Sequence, residues 1–139
     1  MQNEKMMEMV IHQTESKLAA EQIAGQVEAA CGKYSLALLQ TYVYHDIVES
    51  KGFPIQRKVF VYNICQAKTA SMMLTTNPEF STFMPCTLAV YEEDDKTVLS
   101  TMNMGMMLEA VKSNEALYNQ ASNLFNTFKQ MMDELAAGK

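Results

Sequence analysis

The stretch PCTLAVYEEDDKTVLSTM, residues 85–102, determines the fold class because it has the pattern of two strands joined by a tight turn. Apolar residues recur in both halves, and Asp94-Asp95 lies between them at the position of a hairpin turn. Strands joined by so short a connection pair antiparallel. The sequence therefore predicts a β-hairpin made of Pro85 to Glu92 and Thr97 to Met102.

Three further strands and four helical segments are predicted around this hairpin. The strands are Glu8 to Gln13, Leu36 to His45 and Arg57 to Ile64. The helices are about Glu15 to Cys31, with Thr14 as N-cap and Gly32 as the stop, Gln66 to about Thr75, about Gly105 to Lys112, and a long helix from about Glu115. In the long helix, apolar residues recur three and four positions apart, which is typical of a helix lying on a sheet.

The order of these elements, β-α-β-β-α-β-β-α, predicts an α+β domain. We expect a mainly antiparallel sheet of about five strands, with helices packed on one face. Residues 1–139 are expected to form a single domain, with residues 1–6 outside its ordered part. The other face of the sheet is predicted to be an aromatic surface, which is often a dimer interface, formed by Tyr42, Tyr44, Phe60, Tyr62, Thr87, Ala89 and Tyr91.

The composition argues against several classes of partner. Hydrophobic residues make up 48% of the chain and charged residues 19%, which is an ordinary globular balance. The net charge is −5 and the longest basic cluster is Arg57-Lys58, so nucleic acid is not an expected partner. No apolar run reaches the ~18 residues of a membrane span. Since the chain starts without a signal-peptide pattern and has three cysteines, we expect reduced thiols and a cytoplasmic location.

Two cysteines stand at the ends of predicted strands. Proline cannot donate to a strand ladder, so Pro85 marks the start of a strand and presents Cys86 at the end of the sheet. Cys65 ends the preceding strand just before a helix, where the helix dipole favours the thiolate. If these strands are antiparallel neighbours, the two thiols come close together. The predicted ligand-binding residues are Asn63, Cys65, Pro85 and Cys86.

Three functions fit this pair of thiols. The preferred one is a non-enzymatic, dimeric module that binds a small ligand or a soft metal in a cleft near Cys65 and Cys86. The alternative is a thiol-dependent redox or sulfur-transfer enzyme that uses Cys86, with Cys65 as resolving partner and His45 assisting. In the third, the cysteines only pack, within a structural or interaction domain.

The chain has thirteen methionines, and several of them gather in TMNMGMM, residues 101–107. Thioethers are soft ligands that suit Cu(I), so Cys65, Cys86, Met102 and Met104 are the residues that would hold a soft metal such as copper. Methionine is also an adaptable filler of irregular cores, and the run contains no histidine or cysteine. No cofactor and no metal are therefore expected.

The segment that begins at VFVYNIC and ends at STMN, residues 59–103, resembles the core of domain-of-unknown-function family 302. The shared pattern is a strand ending in cysteine, an alanine-bearing helix, an Asn-Pro-Glu turn, and Pro-Cys followed by Val-Tyr-Glu. The residues that carry it are Cys65, Ala70, Asn77, Pro78, Glu79, Pro85, Cys86, Val90, Tyr91 and Glu92. The resemblance implies an α+β fold of the TATA-binding-protein-like class and a homodimer, and it implies no established activity.

Overall fold

Five strands form one antiparallel sheet in the computed structural model, which describes residues 2–139 and only the backbone of Gln2. The strand order is β1-β5-β4-β3-β2, and every neighbouring pair is antiparallel. The predicted α+β class and the predicted hairpin, formed by β4 and β5, are confirmed. The strands are β1 Ile11–Ser16, β2 Ala37–Val43, β3 Val59–Cys65, β4 Cys86–Glu93 and β5 Lys96–Met102.

Seven α-helices and one 3₁₀ helix are described around this sheet within residues 2–139, and those that contribute to the main core pack on one of its faces. The α-helices are α1 Gln2–Val10, α2 Ala20–Ala24, α3 Val27–Lys33, α4 Tyr44–Ser50, α5 Ala67–Thr76, α6 Gly105–Ala110 and α7 Glu115–Ala137, with a 3₁₀ helix at Pro78–Phe83. Helix α7 begins where Asn114 Oδ1 accepts a hydrogen bond from Leu117 N at 3.1 Å. It ends at Gly138, whose φ of 78° is left-handed and favours glycine. None of the helices described in residues 2–139 has the length and apolarity needed to cross a membrane.

The sequence prediction was wrong in several details of the first fifty residues. Met7 and Met9, predicted on a strand, lie exposed on α1, because a short apolar alternation does not distinguish a strand from a helix. Glu15 and Ser16 of the predicted helix 15–31 belong to β1, and the rest of that stretch contains two helices with the break at Gly25, a residue that weakens helices. Gly32 lies inside α3 rather than after it. The end of the predicted second strand is the start of α4.

The predicted aromatic surface divides between the two faces of the sheet. Directly paired residues share a face, and Tyr62 pairs with Leu88, which is fully buried in the core. Phe60 and Tyr62 therefore face the helices. Tyr42 pairs with Val61 on the open face, because an irregularity between Leu38 and Gln40 shifts the register of β2 by one residue. Thr87, Ala89 and Tyr91 also lie on the open face, whereas Tyr44 belongs to α4.

The core between the sheet and the helices consists of two clusters. The main cluster joins the covered face of the sheet to α2, α3 and α7, and it includes Ile64, Leu88 and Phe128. A smaller cluster lies under α5 and α6 and is formed by Met73, Val111 and Leu117. Met107 packs against both clusters. The place where the clusters meet is the end of the sheet that carries the two cysteines.

Candidate functional site

Three neighbouring strands end at the candidate site. Cys65 is the last residue of β3. Cys86 is the first residue of β4 and pairs with Ile64, the residue that precedes Cys65 in the chain. Met102 is the last residue of β5, on the other side of β4. Pro85 precedes the first paired residue of β4, as expected for a residue without a donor, and the Met84–Pro85 peptide bond is cis. The predicted proximity of Cys65 and Cys86 agrees with this register.

A cavity of about 290 Å³ occupies this end of the sheet. Its walls come from the strand ends, from α5 and α6, from the chain before β4, and from one residue of α7. Cys65, Pro85 and Cys86 contribute to the lining, as do Met102 and Met104. The full lining consists of Leu39, Ile64, Cys65, Thr69, Ala70, Met73, Leu74, Phe83, Met84, Pro85, Cys86, Met102, Met104, Met107 and Leu124.

The lining is apolar and offers little hydrogen bonding. Of the fifteen described residues that line the cavity, only Thr69 carries a side-chain oxygen. Its hydroxyl donates to Gln66 Oε1 and accepts from Gln120 Nε2 at 3.1 Å, so its one donor is already used. The two thiols are the remaining polar groups among these side chains. An occupant of the cavity must therefore be apolar or must bind sulfur.

Sulfur is concentrated in this lining. Seven of the fifteen lining residues are cysteine or methionine: Cys65, Met73, Met84, Cys86, Met102, Met104 and Met107. With thirteen methionines and three cysteines in 139 residues, fifteen positions drawn at random would hold about two. The fold thus gathers thiols and thioethers from four separate stretches of the sequence around one space.

Burial controls the ionisation of Cys86. Loss of solvent contact raises the pKa of its thiol to about 11, and the nearby Cys65 adds to the shift. Cys86 is therefore a neutral thiol at pH 7. This is the opposite of the lowered pKa that makes a cysteine nucleophilic.

His45 lies at the far end of β3 from the cysteines. Its Nδ1 accepts a hydrogen bond from Val59 N at 3.0 Å, and its ring meets Phe60 edge-on with 5.2 Å between centroids. Val59 begins β3 and Cys65 ends it, so roughly 20 Å of strand separates them. The structure does not bring the predicted Cys–His pair together.

The comparisons with known proteins agree with this architecture. The family described as "Domain of unknown function DUF302" matches residues 12–135, which is most of the chain. The chain belongs to the DUF302 family. The resemblance read from the Pro-Cys and Val-Tyr-Glu motifs is thereby confirmed. Helix α1 precedes the matched segment.

A crystal structure shows the same fold. It is that of an uncharacterized conserved DUF302 protein from Bacillus stearothermophilus, which is similar over 90% of this chain and 97% of its own, with a TM-score of 0.76 and 18% sequence identity. At this identity the likeness concerns the fold alone. No curated protein matches this DUF302 chain.

Asn63 is the one predicted ligand-binding residue that does not line the cavity of this DUF302 protein. It pairs with Thr87 on one side and Gln40 on the other, so its side chain is on the open face of the sheet. The prediction assumed that sharing a strand side with Cys65 would bring Asn63 to the same cleft. Only the last two residues of β3, Ile64 and Cys65, reach the cavity.

Asn103 holds the turn that presents Met102 and Met104. Its backbone amide donates to Val10 O at 2.8 Å and its Nδ2 donates to Glu8 O at 3.0 Å. Its Oδ1 accepts from Gly105 N at 2.9 Å. These three bonds fix the chain between β5 and α6, and so fix the positions of the two flanking methionines.

The sequence prediction did not identify several lining residues, among them Met73, Met84 and Met107. A partial signal existed, because Ala70 and Met73 lie on the inward stripe of α5. That stripe predicts burial and contains no sign of a space behind it. Elsewhere, a wider depression of about 710 Å³ lies between α1 and β1, and charged residues such as Glu8 and Glu15 line it. Nowhere in residues 2–139 do three or more His, Cys, Asp or Glu side chains converge as metal ligands.

Proposed function

We propose that this DUF302 protein is a non-enzymatic module that binds a small ligand in the cavity at the end of its sheet. The observation that supports this most is the cavity itself, a 290 Å³ space with an apolar lining beside the main core cluster. Ligand pockets measure roughly 300–1,000 Å³, so this one is of the smallest useful size. Leu39 and Phe83 at its rim are more than half exposed, which gives a ligand a way in.

The geometry favours binding over thiol catalysis. A nucleophilic cysteine needs a lowered pKa or an adjacent base, whereas burial raises the pKa of Cys86 and His45 lies at the other end of β3. We therefore expect slow alkylation of Cys86 at pH 7 in the native protein. In the third function, a purely structural domain, the cavity would be an unused gap and would bind nothing.

The test is a titration with the uncharged fluorescent dye N-phenyl-1-naphthylamine, in the wild type and in two leucine variants. Ala70 lines the cavity, so Ala70→Leu fills part of the space and should weaken dye binding at least about tenfold. The matched control is Ala116→Leu on the exposed side of α7, which should bind as the wild type does. Absence of dye binding to the wild type, or equal binding by both variants, would contradict the proposal.

We further propose that the open face of the sheet pairs with a second copy of the chain. The helices cover the opposite face, and the open face carries half-buried Val61, Ala89 and Tyr91. Such a face is typical of an interface between subunits. Light scattering after gel filtration should give a dimer for the wild type and a monomer for Ala89→Arg, which places a charge in the middle of the face. Ala137→Arg, exposed at the end of α7, should leave the dimer intact, and a monomeric wild type would refute the pairing.

A cytoplasmic location is also proposed. Cys31, Cys65 and Cys86 are all free, and thiols stay reduced in the cytosol. The acidic balance, with a net charge of −5, gives no support for a nucleic-acid partner. Fractionation of cells that express the chain, followed by immunoblotting, tests the location.

A further inference from the structure

We propose that the ligand of the cavity is a soft monovalent metal ion, Cu(I), bound by the thiolate of Cys86 and by surrounding thioethers that include Met104. This assignment rests on the proposed binding function. The observation behind it is the concentration of seven sulfur-bearing residues in one lining of fifteen. Thiolate and thioether are soft ligands, and Cu(I) is one of the metals that such ligands select.

The position of Cys86 makes it the central ligand. It begins β4, the strand between β3 and β5, so Cys65 and Met102 stand on the neighbouring strands. Neighbouring strands are about 4.8 Å apart, so the ends of β3 and β5 each lie one strand spacing from the start of β4, and about 10 Å from each other. Cys86 and Met104 also pack into the main core cluster, on the buried side of the cavity.

Charge balance favours a monovalent ion at this place. One thiolate neutralises one Cu(I), and thioethers complete the coordination without adding charge. The resulting site is neutral, which suits an apolar cavity where an unbalanced charge is costly. Zn²⁺ is held by three or four ligands drawn from Cys, His and carboxylate, whereas the lining offers only two cysteines and neither histidine nor carboxylate.

Binding exchanges a proton for the metal. The S–H bond of Cys86 breaks, a Cu–S bond forms, and the proton leaves to bulk water, with no change in the oxidation state of copper or sulfur. A neutral thiol must lose this proton before it can act as the thiolate ligand. Affinity for Cu(I) should therefore rise about tenfold per pH unit between pH 6 and pH 8.

The experiment is a competition for Cu(I) between the protein and the coloured chelator bathocuproine disulfonate, in anaerobic buffer with ascorbate. The wild type should take up one Cu(I) per chain. Cys86→Ala should weaken the competition at least about a hundredfold and Met104→Leu, which keeps the volume of the side chain, about tenfold. Met106→Leu is the matched control, because Met106 belongs to the same TMNMGMM run but is 68% exposed and should leave uptake unchanged.

A second measurement does not depend on the folding of variants. The protein is labelled at the methionine methyl carbons, and Ag(I), which has the same charge and also prefers sulfur, is added. The methyl signals of Met104 and of other lining methionines should shift, while those of exposed Met6 and Met106 stay in place. Shifts confined to exposed methionines would overturn the assignment.

The remaining outcomes separate the two proposals. Dye binding without any Cu(I) uptake overturns the metal assignment and leaves the binding function standing. Failure of both dye and Cu(I) to bind overturns both. Cu(I) uptake that Cys86→Ala and Met104→Leu leave unchanged also overturns the assignment, because the metal would then be held elsewhere.

Discussion

The core under helix α7 and the cavity at the end of the sheet are built from similar residues but differ in closure. Met131 and Met132 of α7 are fully buried among the side chains of the main cluster. Met104 and Met107 also belong to or pack against this cluster, but they line the cavity of about 290 Å³. Methionine adapts to irregular gaps, so its abundance does not by itself separate filler from lining. Whether a methionine fills the core or lines the cavity depends on its position, because the cavity lies where the two core clusters meet.

The largest effect should come from truncating a phenylalanine in the closed core. Phe128 is 2% exposed, and Phe128→Ala should lower the free energy of unfolding by about 3–5 kcal/mol, since it leaves a cavity that the neighbours cannot fill. Phe83 at the cavity rim is 51% exposed, and Phe83→Ala should cost less than about 1 kcal/mol. Urea denaturation measures both. Equal losses would show that the rim is packed as tightly as the core.

Added volume should distinguish the same two regions. Ala121 of α7 is 2% exposed, and Ala121→Leu should destabilise the protein by about 1–3 kcal/mol through overpacking. Ala70→Leu adds the same atoms beside open space and should change stability by less than about 0.5 kcal/mol. Thermal unfolding of the two variants gives the comparison. A large loss from Ala70→Leu would mean that the cavity is not accessible space.

The ionisation of Cys86 should make stability depend on alkaline pH. Burial and then Cys65 raise the pKa of its thiol from 9.0 to about 11, so the folded protein holds this proton more tightly than the unfolded chain does. The stabilisation is complete below about pH 9 and is lost as the pH rises through 11, on the order of 2 kcal/mol in all. Denaturation from pH 8 to pH 11 should show this fall. Cys86→Ala should flatten the curve, and an unchanged slope in that variant would contradict the explanation.

The smallest effect should come from the first turn of α7. Asn114→Ala removes the bond from Leu117 N to Asn114 Oδ1 and should cost about 1 kcal/mol. Asn119→Ala, on the exposed side of the same helix, is the control and should cost less than about 0.5 kcal/mol. Dye binding by both variants should equal that of the wild type. Loss of binding in Asn114→Ala would mean that the first turn of α7 also shapes the cavity.

The sequence predicted the regular elements best where a single pattern ran over many residues. The apolar stripe of α7 and the hairpin of β4 and β5 are long, and their turn and cap residues agree with their periodicity. The first fifty residues were predicted less well. Met7 and Met9 fit the spacing of a strand as well as that of a helix, and Gly25 divides a helix that the apolar pattern shows as continuous. Local patterns fail where tertiary contacts decide between two local structures.

The candidate site divides in the same way. Pro85 and Cys86 could be placed from the sequence, since proline is confined to the start of a strand and the hairpin sets the strand order. Asn63 and His45 could not, because their placement depends on the length of β3 and on which of its ends meets the cavity.

By itself, the sequence determined the antiparallel hairpin, the long covering helix and the DUF302 family membership, because all three depend on residues close together in the chain. Only the tertiary structure decided which face each strand residue occupies, since one irregularity at Leu38 and Gln40 reverses the faces of β2 relative to β3. It also decided that seven sulfur-bearing side chains surround one space. The cavity exists because the two core clusters meet there and leave a gap between them. The distance between the clusters cannot be predicted from any local sequence pattern.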